Sequence, residues 1–162
     1  MRILVVYYSY SGFTRRVAEA VARACSGELC ALEQPKRRGT FMNFVMGGFE
    51  AMRRRSVALK PLACDVAAYD LVVLGTPVYA GTLPAPMRTF ILQEGSRIRR
   101  ATGFITASGR EAENLKVLQE MRGLLPDIWR EPGLFVCYSP NPNEVALGVS
   151  KAWGLELARA TL

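Results

Sequence analysis

The chain has 162 residues, half of them apolar, a net charge of +7 and no histidine. That length suits one well-buried domain, expected here to span residues 1–162. Without histidine there is no Ser-His or Cys-His nucleophile pair, which excludes hydrolases of those types.

Ile3 to Tyr8 is a continuous apolar run with β-branched and aromatic residues, which predicts a buried first strand. The loop Ser9-Tyr10-Ser11-Gly12-Phe13-Thr14 follows and opens directly into a helix. Phe13, Val17, Ala20, Val21 and Ala24 mark the apolar face of that helix. It is expected to run to about Ser26, with Gly27 as its C-terminal cap. Leu29 to Glu33 reads as a short second strand.

Residues 35–60 carry Lys36, Arg37, Arg38, Arg53, Arg54, Arg55 and Lys60 against Glu50, a local net charge of +6, so the rest of the chain is close to neutral. Phe41, Phe44, Val45, Phe49 and Met52 within it keep a helical spacing that Gly47-Gly48 interrupts. Asp70 to Gly75 predicts a third strand, and Thr76 to Pro84 a loop broken by proline and glycine.

A helix is expected from Ala85 to Gln93 and a fourth strand from Ala101 to Thr106, leaving through Ala107-Ser108-Gly109. Glu111 to Leu124 is amphipathic, Leu134 to Tyr138 predicts a fifth strand, and Glu144 to Ala160 a closing helix.

Strands apolar on both faces, alternating with helices, imply an α/β parallel sheet covered on both sides. Five such strands suit the doubly wound order 2-1-3-4-5, whose switch point lies between strands one and three. The loops gathered there would be 9–14, 76–81 and 106–110.

The opening loop lacks G-x-x-x-x-G-K-[ST], so it is no triphosphate P-loop. It also lacks G-x-G-x-x-G, and it has no cysteine to serve as a phosphatase nucleophile. The third strand ends at Gly75-Thr76, without the aspartate of a phospho-acceptor. A phosphate monoester fits what remains. The hydroxyls of Ser9, Ser11 and Thr14, with the amides of residues 10–14, can surround a dianion at a helix N-terminus. The plainer alternative is that Ser11 caps the helix and the loop binds nothing.

Tyr79, held between Pro77 and Gly81, is placed to stack on a planar heterocycle, although a tyrosine packed over its own loop has the same pattern. Thr106 and Ser108 can offer hydrogen bonds to such a ring, or can be ordinary strand-exit residues.

Together these motifs resemble the flavodoxin-like family of FMN-binding proteins. The match runs through (S/T)-x-(S/T)-G-x-T at Ser9 to Thr14, G-(T/S)-P-x-(Y/W)-x-G at Gly75 to Gly81, and T-x-(S/G)-G at Thr106 to Gly109. The resemblance implies a flavodoxin-like fold with FMN as cofactor. By it, Ser9, Tyr10, Ser11, Gly12, Phe13 and Thr14 hold the phosphate. Thr76, Pro77, Val78, Tyr79 and Ala80 flank the isoalloxazine, and Thr106, Ala107, Ser108 and Gly109 lie along its pyrimidine edge. Pro77 has no N–H, so a hydrogen bond to flavin N5 must come from Val78, Tyr79 or a later amide. No side-chain acid or base stands out, and the redox chemistry would belong to the flavin.

The implied function is electron transfer between partner proteins, or from NAD(P)H to a small acceptor such as a quinone. The alternative is a non-enzymatic binding module that keeps the fold without redox activity. The basic stretch 36–60 has three readings: a helix covering the sheet with solvated arginines, a docking surface for an acidic partner or an NADPH phosphate, or contact with an anionic membrane. Nucleic-acid binding finds no other support.

Cys25, Cys30, Cys64 and Cys137 show neither C-x-x-C nor zinc spacing. They read as reduced thiols, and no metal site is expected. No apolar run is long enough to cross a bilayer and no signal peptide is evident, so a cytoplasmic location is expected.

Overall fold

The apolar runs of the sequence lie side by side at the centre of the molecule, in a computed structural model that describes residues 1–35, 56–108, 111–130, 133–137 and 144–160. The strands are β1 (Ile3–Tyr7), β2 (Glu28–Ala31), β3 (Leu71–Pro77), β4 (Ala101–Ala107) and β5 (Leu134–Cys137). They form one sheet in the order β2-β1-β3-β4-β5, every pair parallel. The helices are α1 (Phe13–Cys25), α2 (Ala85–Glu94), α3 (Glu111–Leu124) and α4 (Glu144–Arg159).

Alternation along the strands divides the core. Ile3, Val5, Leu71, Val73 and Phe104 pack with Val17, Val21 and Trp153 from α1 and α4. Leu4, Val6, Val72, Leu74 and Ile105 pack with Met87 and Phe90 of α2 and with Val117 and Met121 of α3. Successive side chains of a strand point to opposite faces, so strands that are apolar throughout require helices on both.

Several boundaries differ from the sequence expectations. β3 continues two residues past Gly75 because Thr76 and Pro77 still pair in register with Ile105 and Thr106. β2 stops at Ala31, and Glu33 turns to Lys60 instead: its carbonyl accepts the Lys60 N–H at 2.8 Å and its carboxylate binds Lys60 Nζ at 2.7 Å. The left-handed residue that ends α1 is Ser26 (φ 52°), not Gly27, whose N–H bonds the Ala22 carbonyl at 2.8 Å. The helical reading of 41–52, the end of β5 at Tyr138 and the site residue Gly109 lie outside the described residues. None of the described helices is long and apolar enough to cross a membrane. Nor do the described His, Cys, Asp and Glu residues include a group of three that could hold a metal ion.

At Gly75 the fully buried ring of Phe104 lies where a side chain would stand. Gly75→Val therefore forces strand or ring to shift, and overpacking of this kind costs roughly 1–3 kcal/mol. Thermal denaturation should show Tm lowered by about 2–12 °C. Gly148, exposed on α4 with open space beside it, is the control. Gly148→Ala should raise Tm by about 2–4 °C through the better helix propensity of alanine.

Candidate functional site at the carboxyl ends of the central strands

The register aligns the exits of β1, β3 and β4. Tyr7 lies opposite Gly75, and Pro77 opposite Thr106. The Tyr8 amide then bonds the Gly75 carbonyl at 2.9 Å, and the Val78 amide bonds the Thr106 carbonyl at 3.0 Å. Three loops thus emerge at the carboxyl end of the sheet.

The first loop enters α1 through Gly12, whose φ of 94° glycine adopts at low cost. Ser11 is exposed and makes no capping bond. Ser9 takes that role, its Oγ accepting the Arg15 N–H at 3.1 Å. The Gly12 and Thr14 amides have no partner among the described residues, and the first turn of α1 carries no acid. This helix end therefore presents open N–H donors and the positive end of a dipole, a setting for an anion.

The Thr14 side chain turns inward. Its Oγ1 lies 2.8 Å from Thr106 Oγ1, and both residues are buried. This contact ties the α1 entrance to the end of β4. One of the two hydroxyls donates to the other, which leaves a single hydroxyl proton between them for any further partner.

The second loop is a two-residue hairpin. Tyr79 and Thr82 exchange backbone bonds, Tyr79 N–H to Thr82 O at 3.2 Å and Thr82 N–H to Tyr79 O at 2.8 Å, and the Thr82 hydroxyl adds a bond of 2.8 Å to the Tyr79 carbonyl. Ala80 and Gly81 at the tip both have positive φ, 46° and 68°, the pattern of a type I′ turn. Because the Val78 and Tyr79 amides are bonded, the loop donors without a partner among the described residues are those of Ala80 and Gly81. Thr76 is fully buried within β3, and its hydroxyl bonds the Pro77 carbonyl at 3.1 Å.

Tyr79 contacts two other rings. Tyr8 meets it edge-on with centroids 6.2 Å apart and planes at 82°, and Tyr10 of the first loop meets it at 6.2 Å and 86°. Such T-shaped contacts fix the ring beyond simple burial. At the third loop Ala107 is buried and Ser108 exposed, its carbonyl accepting the Asn114 side-chain N–H at 3.5 Å.

Sequence reasoning passed over Tyr8, Asn114, Lys116 and the Arg88–Glu120 pair. Lys116 of α3 reaches back to the hairpin tip, where a Cβ on Gly81 would lie 3.0 Å from its Cε and Nζ. Arg88, buried on α2, pairs with Glu120 of α3, and the second Glu120 oxygen accepts the Leu83 N–H at 3.4 Å. An arginine inside the apolar run Pro86 to Ile91 was the available signal, since a buried charge needs a partner.

Comparison with known proteins adds a family. The family model described as NADPH-dependent FMN reductase matches residues 1–139. The chain belongs to this family. Among curated proteins it is similar to an NAD(P)H dehydrogenase (quinone) of Geobacter sulfurreducens, 31% identical over 68% of this chain and 60% of that protein. It is likewise similar to an NAD(P)H dehydrogenase (quinone) of Syntrophus aciditrophicus, 36% identical over 67% of this chain and 52% of that protein. The chain thus spans between half and three-fifths of the length of these relatives. Among solved structures, a flavoprotein in complex with FMN from Lactobacillus acidophilus superposes with a TM-score of 0.67 at 21% identity, over 83% of this chain and 91% of that one. At that identity the likeness is one of flavodoxin-like fold.

The buried hydroxyl pair gives a sharp test of the site's framework. Thr14→Val or Thr106→Val alone leaves one hydroxyl buried without its partner, at a cost of about 1–3 kcal/mol. The double variant removes both and should recover much of that loss. Urea unfolding of the four proteins reads the coupling directly, and additive losses would show that the contact contributes nothing.

Proposed function

We propose that residues 1–162 act as a single FMN-binding domain that transfers electrons from NAD(P)H to a small acceptor such as a quinone. The observation that carries this reading is the pairing of an acid-free helix N-terminus with a tyrosine-backed hairpin at one end of the sheet. The first suits a phosphate dianion and the second a flat apolar ring, and the Tyr10–Tyr79 contact joins them. Membership of the FMN reductase family and the names of the curated relatives support it.

The residues present fit the cofactor. The open Gly12 and Thr14 amides and the exposed Ser11 hydroxyl would hold the phosphate. Ser9 would donate its hydroxyl proton to the same group, since its oxygen already accepts from Arg15. The Tyr79 ring would give the isoalloxazine an apolar face, with Val78 and Pro77 beside it. The Ala80 and Gly81 amides, rather than those of Val78 and Tyr79, would supply donors to the heteroatoms of the ring. Ser108 would lie along the pyrimidine edge, with Asn114 holding its carbonyl. When bound, FMN supplies a two-electron relay between the nicotinamide donor and the acceptor. Lys116 beside Gly81 adds a cation at the rim, which favours anionic groups there.

The purified protein should be yellow and should release FMN on acid treatment. Under anaerobic conditions NADPH should bleach the flavin absorbance within seconds, and a quinone should restore it. Tyr79→Ala should weaken FMN binding by about 10- to 100-fold, in line with the stacking energy of an aromatic ring, measured by fluorescence titration. A colourless protein that takes up no added FMN would overturn the proposal. FMN binding without bleaching by NADPH or NADH would leave the cofactor but remove the reductase activity.

A further inference from the structure

Two thiols on the β2 side of the sheet lie against each other. Cys30 in β2 is buried, Cys64 is half-buried, and their sulfurs are 2.8 Å apart. That distance exceeds a disulfide bond by only about 0.8 Å. The backbone around them is already joined. Glu33, three residues beyond Cys30, holds Lys60, four residues before Cys64, through both its carbonyl and its carboxylate. One residue group further along, the Val57 amide bonds Thr89 Oγ1 of α2 at 2.9 Å. Cys30–Cys64 is thus a second rung beside an existing one, and a bond there asks for only a small movement of the chain.

What the rung brackets is the most basic stretch of the protein. Residues 36–55 hold Lys36, Arg37, Arg38, Arg53, Arg54 and Arg55 against the single acid Glu50. We propose that Cys30 and Cys64 are a reversible oxidation site, closing to a disulfide under a hydroperoxide and so fastening the two ends of this basic stretch.

The chemistry balances with the hydroperoxide as sole oxidant. The Cys64 thiolate, the more accessible of the two, attacks the peroxide and breaks its O–O bond. A sulfenic acid forms on Cys64, and the leaving oxygen departs as water or an alcohol after taking a proton. The Cys30 sulfur then displaces the sulfenic oxygen, which leaves as water with the Cys30 proton. Two thiols lose two electrons and two protons, and the peroxide is reduced by two electrons. A thiol such as dithiothreitol reverses the bond.

The surroundings make the site slow at neutral pH. Burial, the Cys30 thiol and the nearby Glu28 and Asp65 carboxylates push the Cys64 thiol up to about 12, and Tyr69 shares the same surroundings. Because the thiolate is the nucleophile, oxidation should speed up about tenfold per pH unit below that value.

The experiment treats the full chain with hydrogen peroxide at pH 7, 8 and 9, alkylates the remaining thiols and reads the products by mass spectrometry. The native sequence should lose two of its four alkylatable cysteines as an intramolecular bond, faster at higher pH and recovered by dithiothreitol. Neither Cys30→Ser nor Cys64→Ser should form that bond, and both should keep the FMN affinity of the native chain. Oxidation should raise Tm by about 5–15 °C, since the bond closes a loop with 34 residues of separation. Four thiols that all remain alkylatable, a bond that persists in Cys64→Ser, or an oxidised protein with unchanged Tm would each overturn the proposal.

Discussion

The parallel register of β1, β3 and β4 is the constraint on which the candidate site depends. With Tyr7 set opposite Gly75 and Pro77 opposite Thr106, the exit residues Tyr8, Val78 and Ser108 leave the sheet at the same end. A slip of one residue would send Ile3 and Val5 to the face now filled by Leu4 and Val6, exchanging the two cores. Burial on both faces therefore fixes the register, and the register delivers the loops. The Phe104 ring over Gly75 adds a local lock where β3 nears its end.

Loops brought together in this way still need shape, and the donors of the hairpin show how it is set. Val78 and Tyr79 spend their amides on the fold, one on β4 and one across the turn, so the geometry of the tip no longer depends on a ligand. Behind it, Glu120 serves Arg88 and the Leu83 amide at once. An ion pair this buried adds little net stability, because desolvation offsets most of the attraction. Its value is positional: it joins α2, α3 and the exit of the hairpin at one carboxylate. Preorganisation of this kind is what a stacking platform needs, since a ring held by neighbours loses less entropy when something packs on it.

Much of this was legible in the chain. The apolar runs at Ile3–Tyr8, Asp70–Gly75 and Leu134–Tyr138 read as strands and overlap β1, β3 and β5, and the bounds of α3 matched its amphipathic pattern to the residue. The turn chemistry after β1 and β3 was visible at Ser9–Thr14 and Thr76–Pro84, although Thr76 and Pro77 still belong to β3. The direction of each side chain was not. Thr14 and Thr106 are 92 positions apart, and nothing local says that their hydroxyls face each other instead of the crevice. Ser9 rather than Ser11 reaches the helix amide because Gly12 turns the chain through positive φ before α1 begins. Tyr8 looked like the last residue of a strand, although one position beyond the sheet its ring is free to back Tyr79. Lys116 and Glu120 read as the solvated face of α3, since amphipathicity does not reveal which loop passes over a helix.

One detail of the hairpin reaches further. Its first tip residue is Ala80, at φ 46°, where asparagine, aspartate or glycine is the usual choice. In a two-residue turn the central peptide can rotate by half a turn, exchanging the type I′ and II′ forms and reversing the directions of its N–H and C=O. That rotation would carry Ala80 to positive φ with strongly negative ψ, a region essentially reserved for glycine. The methyl group of Ala80 thus acts as a ratchet stop. The peptide between Ala80 and Gly81 is thereby biased to one polarity, with its N–H on the same side of the turn.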